Sequence, residues 1–166
     1  HIKQPIDHND WLVAIKTQLN YLSENFLFKS SYKYYLKSIF FGGGTPSLMK
    51  PFVIKGIINE CERLFYYKAL NKEVEITLEA NPGSIFKDKL KGFLDAGVNR
   101  ISIGVQSFDE RLLLFLGRDH SAYEAKKAIE ISRNIFKNLS LDLIYALPKQ
   151  SMKDWERSLN EAFQFD

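Results

Sequence analysis

Residues 99–107 read N-R-I-S-I-G-V-Q-S. In an extended chain Ile101, Ile103 and Val105 fall on one side and Ser102, Gly104 and Gln106 on the other, because successive side chains alternate between the faces of a strand. The same alternation recurs twice. Val74, Ile76 and Leu78 oppose Glu75, Thr77 and Glu79, and Leu141, Leu143 and Tyr145 oppose Ser140, Asp142 and Ile144. Strands buried on both faces of a parallel sheet read as unbroken apolar runs instead. Each strand here has one greasy face and one polar face.

The strands are expected at Lys37–Phe41, Glu73–Glu79, Asn99–Val105 and Leu139–Tyr145. Around them the apolar period changes to steps of 3 and 4, the spacing of one helix face. Leu12, Ile15, Leu19, Leu22 and Phe26 form a first stripe, with Asn9 or Asp10 as its expected cap. Pro51 opens a second helix carrying Val53, Ile57, Cys61, Leu64 and Phe65. Ser84 is the expected cap of a third, with Leu90, Phe93 and Leu94 on its face and Gly97 as its stop. Ala125, Ala128, Ile129, Ser132 and Ile135 line a fourth helical region. Ser151 with Asp154 forms a capping box ahead of Met152, Trp155, Leu159 and Phe163.

Strands alternating with helices imply parallel pairing through right-handed crossovers, and hence an α/β fold. The greasy face takes the helices. A curved sheet with a wet lumen explains the polar face: a barrel, open or closed, whose inside lines a ligand cavity. The alternative is a one-sided sheet with a solvated face.

Composition narrows the partners. Of the 166 residues 45% are hydrophobic and 14% aromatic, enough for a packed core. The 23 Lys and Arg are scattered among 20 Asp and Glu, for a net charge of +3. No basic stripe stands out, so nucleic acid is not an expected partner. Cys61 is the only cysteine, which excludes an internal disulfide and a Cys-rich metal site made by this chain alone. It reads as a buried thiol. No apolar run reaches the roughly 18 residues of a membrane span, and no signal peptide opens the chain. A cytoplasmic protein is expected, with His1 read as a tag remnant.

Ligands of parallel α/β sheets sit at the carboxyl ends of the strands. Those ends are Gly42-Gly43-Gly44-Thr45, then Glu79 followed by Asn81-Pro82-Gly83, then Gln106-Ser107, with Asp142 on the polar face of the last strand. The glycine turn lacks both the P-loop spacing with its lysine and the G-x-G-x-x-G pattern. It suits close approach of a small polar ligand to the backbone, or simply a tight turn with positive φ. Glu79, Gln106 and Asp142 suit hydroxyls or an ammonium group. Glu79 also reads as a solvated strand end, and Asp142 needs a partner if buried. Arg118 either reaches a ligand carboxylate or pairs on the surface with Asp119 or Glu110. His8 and His120 lack metal-ligand spacing and are expected at the surface.

Taken in order, F-F-G-G-G-T-P-S, L-E-A-N-P-G-S, R-I-S-I-G-V-Q-S-F, L-G-R-D-H-S and L-D-L-I-Y-A-L-P-K-Q-S…W resemble the radical S-adenosylmethionine (SAM) enzymes of the oxygen-independent coproporphyrinogen III oxidase group, in particular its haem-chaperone-like branch. The resemblance runs from about Lys37 to Phe163. It implies a partial (β/α) barrel truncated to about four parallel strands, divided as an N-terminal helix (1–36) and the central barrel part (37–166). It also implies that Gly43, Gly44 and Thr45 pair with the methionine end of S-adenosyl-L-methionine, and that Glu79, Gln106, Arg118 and Asp142 are further cofactor-binding residues. In that family a reduced [4Fe–4S] cluster passes an electron to the cofactor, giving methionine and a 5′-deoxyadenosyl radical, and porphyrin or haem is the larger partner.

This sequence departs from the family in two ways. The family's Cys-x3-Cys-x2-Cys cluster motif precedes the glycine turn, whereas no cysteine precedes Gly42 here. Ala146 and Lys149 stand where Tyr-Gly-Leu-Pro-Gly is usual. The chain is therefore expected to be a middle segment that holds no cluster by itself, performs no radical chemistry alone, and self-associates through exposed sheet edges. Two other readings stay open: a degenerate, non-enzymatic haem-binding or interaction module, and an unrelated α/β barrel for a phosphorylated metabolite.

Overall fold

In a computed structural model, which describes residues 7–27, 35–65 and 74–165, four parallel strands lie side by side in chain order: β1 (Ser38–Phe41), β2 (Glu75–Ala80), β3 (Arg100–Gln106) and β4 (Asn138–Leu143). Helix α1 (His8–Leu22) precedes β1, and α2 (Pro51–Leu64) and α3 (Lys87–Asp95) form the next two crossovers. The third is a pair, α4 (Glu110–Phe115) and α5 (Ala122–Arg133), and α6 (Met152–Phe163) follows β4. The α/β order read from the sequence stands, and strand ends move by one or two residues. His1 and Glu73 lie outside the described residues.

The greasy faces meet the helices as expected. Leu78, Ile101, Ile103 and Val105 are wholly buried, packed with Leu90 and Phe93 of α3, Ile54 and Ile58 of α2, and Ala125 and Ile129 of α5. Helix α1 lies one layer further out, with Leu12, Ile15 and Leu19 against Val53, Ile57 and Cys61. A Cβ on Gly56 of α2 would stand 2.8 Å from a Leu12 methyl, so the helices meet through that glycine. Burial pushes the Cys61 thiol up, away from the reactive thiolate.

Asn99 fixes the register at the base of the sheet. Its amide copies a backbone unit: Oδ1 accepts from the Ile76 N–H at 2.7 Å, and Nδ2 donates to the Val74 carbonyl at 2.8 Å. At the top, Ile103 pairs with Leu141 but Gln106 pairs with Leu143, so β3 carries one extra residue there. This bulge turns Gln106 into the left-handed region at φ 66°.

The helix ends correct several expectations. Asp7, rather than Asn9 or Asp10, caps α1, its carboxylate accepting from both of their N–H groups. Ser84 does not cap α3, which starts after Phe86. Asn81-Pro82-Gly83-Ser84 closes a 3-10 turn of its own, and the Ser84 hydroxyl donates back to the Asn81 carbonyl. Gly97 does stop α3, at φ 110°. The Ser151–Asp154 box stands, but the stripe behind it does not form a buried face. Met152 and Phe163 are 73% and 70% exposed, while Asp154 and Ser158 are buried. Asp154 turns inward because Ser151, Arg157 and Arg111 of α4 converge on its carboxylate.

The hydroxyl and backbone of Ser151 hold the Asp154 carboxyl below its ordinary range, with Arg157 and Arg111 adding to it. The Arg111 hydrogen bond does the same for Asp109. Both groups take up protons at lower pH in the folded chain than in the unfolded one. Their stabilisation is therefore complete above about pH 5 and is lost progressively as pH falls through the unfolded and then the lower folded value. Thermal midpoints should drop between about pH 5 and about pH 3. Asp154→Asn should lower the midpoint at neutral pH and flatten that dependence, as followed by circular dichroism.

Candidate functional site at the carboxyl edge of the sheet

Glycines leave β1 for two different reasons. A Cβ on Gly42 would meet the Phe40 ring at 2.7 Å and the Glu79 carboxyl carbon at 3.3 Å, so it would displace both side chains. Gly43 and Gly44 have φ 82° and 61° and face open space, so backbone conformation demands glycine there. The turn is held from the next strand, the Gly43 N–H donating to Glu79 Oε2 at 3.2 Å.

Beneath it a buried hydroxyl joins the rims of β1 and β2. Ser47 Oγ accepts from the Asn81 N–H at 3.3 Å and meets the Ser84 hydroxyl. Asn81 reaches outward as well, its Nδ2 donating to Asp119 Oδ1 at 3.2 Å. That contact ties β2 to the α4–α5 loop, which carries Arg118.

The same loop is pinned by His120, which is 4% exposed and not the expected surface residue. Its Nε2 lies 3.1 Å from the Val105 carbonyl. A carbonyl only accepts, so the proton sits on Nε2. That carbonyl also accepts from the Ser107 N–H at 2.8 Å, and the buried histidine takes its second lone pair. His8 is also half-buried, its ring edge-on to Phe52 at 6.4 Å. Arg118 does not make the surface pairs considered for it. Glu110 accepts from the Ala122 N–H at 2.8 Å and Asp119 from Asn81. Arg118 Nε is buried with no hydrogen-bond partner among the described residues.

Gln106 and Asp142 complete the rim. The Gln106 side chain folds back across Gly104, where a Cβ would stand 2.8 Å from its Nε2. Asp142 is exposed, and its two oxygens lie 3.0 and 2.9 Å from the Ser102 hydroxyl, which donates to them.

Gly44, Thr45, Glu79, Gln106, Arg118 and Asp142 line one cavity of about 230 Å³. Gly43 stands behind them, bracing Glu79. The polar-lumen reading is thus correct, and the strand ends converge. Two carboxylates, a guanidinium lacking an acceptor and an open left-handed turn suit a small zwitterion carrying hydroxyls. Sequence reasoning names Asn81 only as part of a strand-end turn, and assigns no role to Gly104 in the lining, Ser102 beneath Asp142 or the buried His120. The alternation R-x-S in β3 and S-x-D in β4 contained the Ser102 signal, but only the register joins the two.

A family model described as the Radical SAM superfamily matches residues 27–162. The chain belongs to the radical SAM superfamily. Among curated proteins, this radical SAM chain is 40% identical over 130 residues to the haem chaperone HemW of Haemophilus influenzae, covering 78% of this chain and 33% of that protein. It is 35% identical over 166 residues to Escherichia coli HemW, covering 99% and 42%. It is 42% identical over 127 residues to the mitochondrial radical S-adenosyl methionine domain-containing protein 1 of Danio rerio, covering 76% and 28%. The chain thus spans between 28% and 42% of these relatives' lengths. Among solved structures, coproporphyrinogen III oxidase (HemN) of Escherichia coli superposes with a TM-score of 0.79 at 24% identity, over 99% of this chain and 36% of that one. That likeness establishes a shared fold.

Beyond β4, Ala146 and Lys149 adopt φ 59° and 63°, a conformation that favours glycine. The strain costs on the order of 1 kcal/mol per residue, partly offset by the looser unfolded chain that glycine brings. Ala146→Gly and Lys149→Gly should each leave the protein unchanged or up to about 1 kcal/mol more stable in urea unfolding. Destabilisation by both would contradict a strained turn.

Proposed function

We propose that this chain forms the S-adenosylmethionine-binding wall of a radical SAM protein in the branch that contains haem chaperones and coproporphyrinogen-oxidase-like proteins. The observation that carries the reading is Arg118 Nε, buried and lacking an acceptor among the described residues, in a cavity it shares with two carboxylates. Such a donor asks for an anionic group. In this reading the cofactor's carboxylate meets Arg118, and its ammonium group meets Glu79 and the backbone of Gly43, Gly44 and Thr45. Its ribose hydroxyls meet Asp142 and Gln106. Gly44 leaves room at the turn, and the Asn81–Asp119 contact holds Arg118 over the cavity.

The donor set does not fit an iron–sulfur cluster. Such clusters take several thiolates, the sequence has one cysteine, and burial keeps that thiol protonated in the α1–α2 layer. Cluster ligands must come from outside this chain, and no electron-transfer step is assigned to its residues. What the chain does is bind and orient the cofactor. Carrying haem or acting on a porphyrin belongs, in this proposal, to the whole protein. The names of the HemW relatives and the motif order from Gly43 to Asp142 support it.

Titration calorimetry of the 166-residue chain with S-adenosylmethionine should give saturable one-to-one binding. Arg118→Gln should weaken it by about tenfold to about a hundredfold, as expected for the loss of a charged hydrogen bond. Ribose 5-phosphate should bind far more weakly. Preference for the sugar phosphate, or indifference to Arg118→Gln, would overturn the assignment.

A further inference from the structure

The inner face of the sheet carries a row of polar groups below the cavity. Arg100 Nη2 lies 2.9 Å from Ser140 Oγ, Ser140 Oγ lies 2.9 Å from Ser102 Oγ, and Ser102 Oγ meets both oxygens of Asp142. The direction of every proton is forced. A carboxylate only accepts, so the one hydroxyl proton of Ser102 goes to Asp142. Ser102 must then accept from Ser140, and Ser140, its proton spent, must accept from Arg100, which can only donate.

Register builds the row. Ser102 stands directly opposite Ser140, and Arg100 directly opposite Asn138. The R-x-S of β3 and the S-x-D of β4 therefore interleave: the steps from Arg100 to Ser140 and from Ser102 to Asp142 rise toward the carboxyl edge, and the step from Ser140 to Ser102 runs level between the strands. The lower end is fixed too: Arg100 Nη1 donates to Thr77 Oγ1 at 3.1 Å and pairs with Glu75 at 3.6 Å. Thr77 and Ser102 are buried and Ser140 is half-buried.

We propose that Ser102 and Ser140 are positioning residues, forming with Arg100 a one-way hydroxyl relay that orients the Asp142 carboxylate toward the cofactor. The proposal rests on the cofactor reading above. Hydrogen bonds aligned donor to acceptor polarise one another, so the cation, in register with Asn138 four residues below Asp142, steadies the anion at the rim. Both oxygens of Asp142 are held from below, which leaves their outward lone pairs for a ligand's hydroxyl or amine protons.

The full chain is prepared as wild type, Ser102→Ala, Ser140→Ala, the double variant and Ser140→Thr. Each is titrated with S-adenosylmethionine, and the Asp142 side-chain carboxyl carbon is followed by NMR. Ser102→Ala should weaken binding about tenfold and Ser140→Ala about threefold, although Ser140 does not touch Asp142. The double variant should be no worse than Ser102→Ala, because a relay broken at its last step has nothing further to lose. Ser140→Thr, which keeps the hydroxyl, should restore both affinity and the Asp142 resonance. Should Ser140→Ala fail to fold, Arg100→Gln tests the relay from its lower end and should also move the Asp142 resonance.

Wild-type affinity and an unmoved Asp142 resonance in Ser140→Ala would overturn the relay, as would strictly additive losses. Absence of cofactor binding in the wild type, with the Asp142 resonance still responding to Ser140→Ala, would uphold the relay and refute the cofactor reading.

Discussion

Everything at the carboxyl edge depends on the register between neighbouring strands. With a side-chain period of two, a slip of one residue would turn Arg100, Ser102 and Gly104 into the helix layer and bring Ile101, Ile103 and Val105 into the lumen. The slip is resisted on both sides: by the wholly buried isoleucines beneath the helices and by the polar row across the lumen face. Asn99 adds a third constraint, clamping the start of β3 to β2 through both ends of its amide. Aligned strands then deliver their carboxyl ends to one rim.

That rim is assembled by loops that bond to one another. The Gly43 turn rests on Glu79, Ser47 reaches Asn81, Asn81 reaches Asp119, and His120 on the same loop reaches the Val105 carbonyl of β3. Three strand ends and one helix–helix loop thus share a continuous hydrogen-bonded frame around the cavity. Backbone strain gathers here too. Gln106, Ala146 and Lys149 are the non-glycine residues with positive φ among the described residues, and all three lie at or just beyond strand ends on this edge. Conformations of this kind persist where surrounding contacts over-determine them.

Much of this was legible in the sequence because it rests on periodicity. Alternation marked β2, β3 and β4 and their polar faces, and steps of 3 and 4 marked α2 and α5. The strand ends alone contain Gly44, Thr45, Glu79, Asn81, Gln106 and Asp142 of the cavity lining. What stayed hidden depends on contacts between distant residues. His120 is buried where its ring meets the Val105 carbonyl, 15 residues away in sequence, and no local pattern announces that. Ser84 has the chemistry of a helix cap, but its hydroxyl is taken by Ser47 and the Asn81 carbonyl, so α3 begins later. The stripe on α6 has helical spacing, yet the charged cluster at Asp154 decides which side faces inward. In each case a tertiary partner overrode a sound local rule.

The central claim is that the glycine turn, Glu79, Gln106, Arg118 and Asp142 act as one wall around a single ligand. Amide NMR of the labelled chain during addition of S-adenosylmethionine tests it most directly. Shifts should appear together at Gly43, Gly44, Thr45, Gln106 and Arg118, saturating at one ligand concentration, while residues at the base of the sheet such as Asn99 stay in place. Shifts confined to one strand end, or clustered at the opposite edge around Asn99 and Asn138, would contradict it.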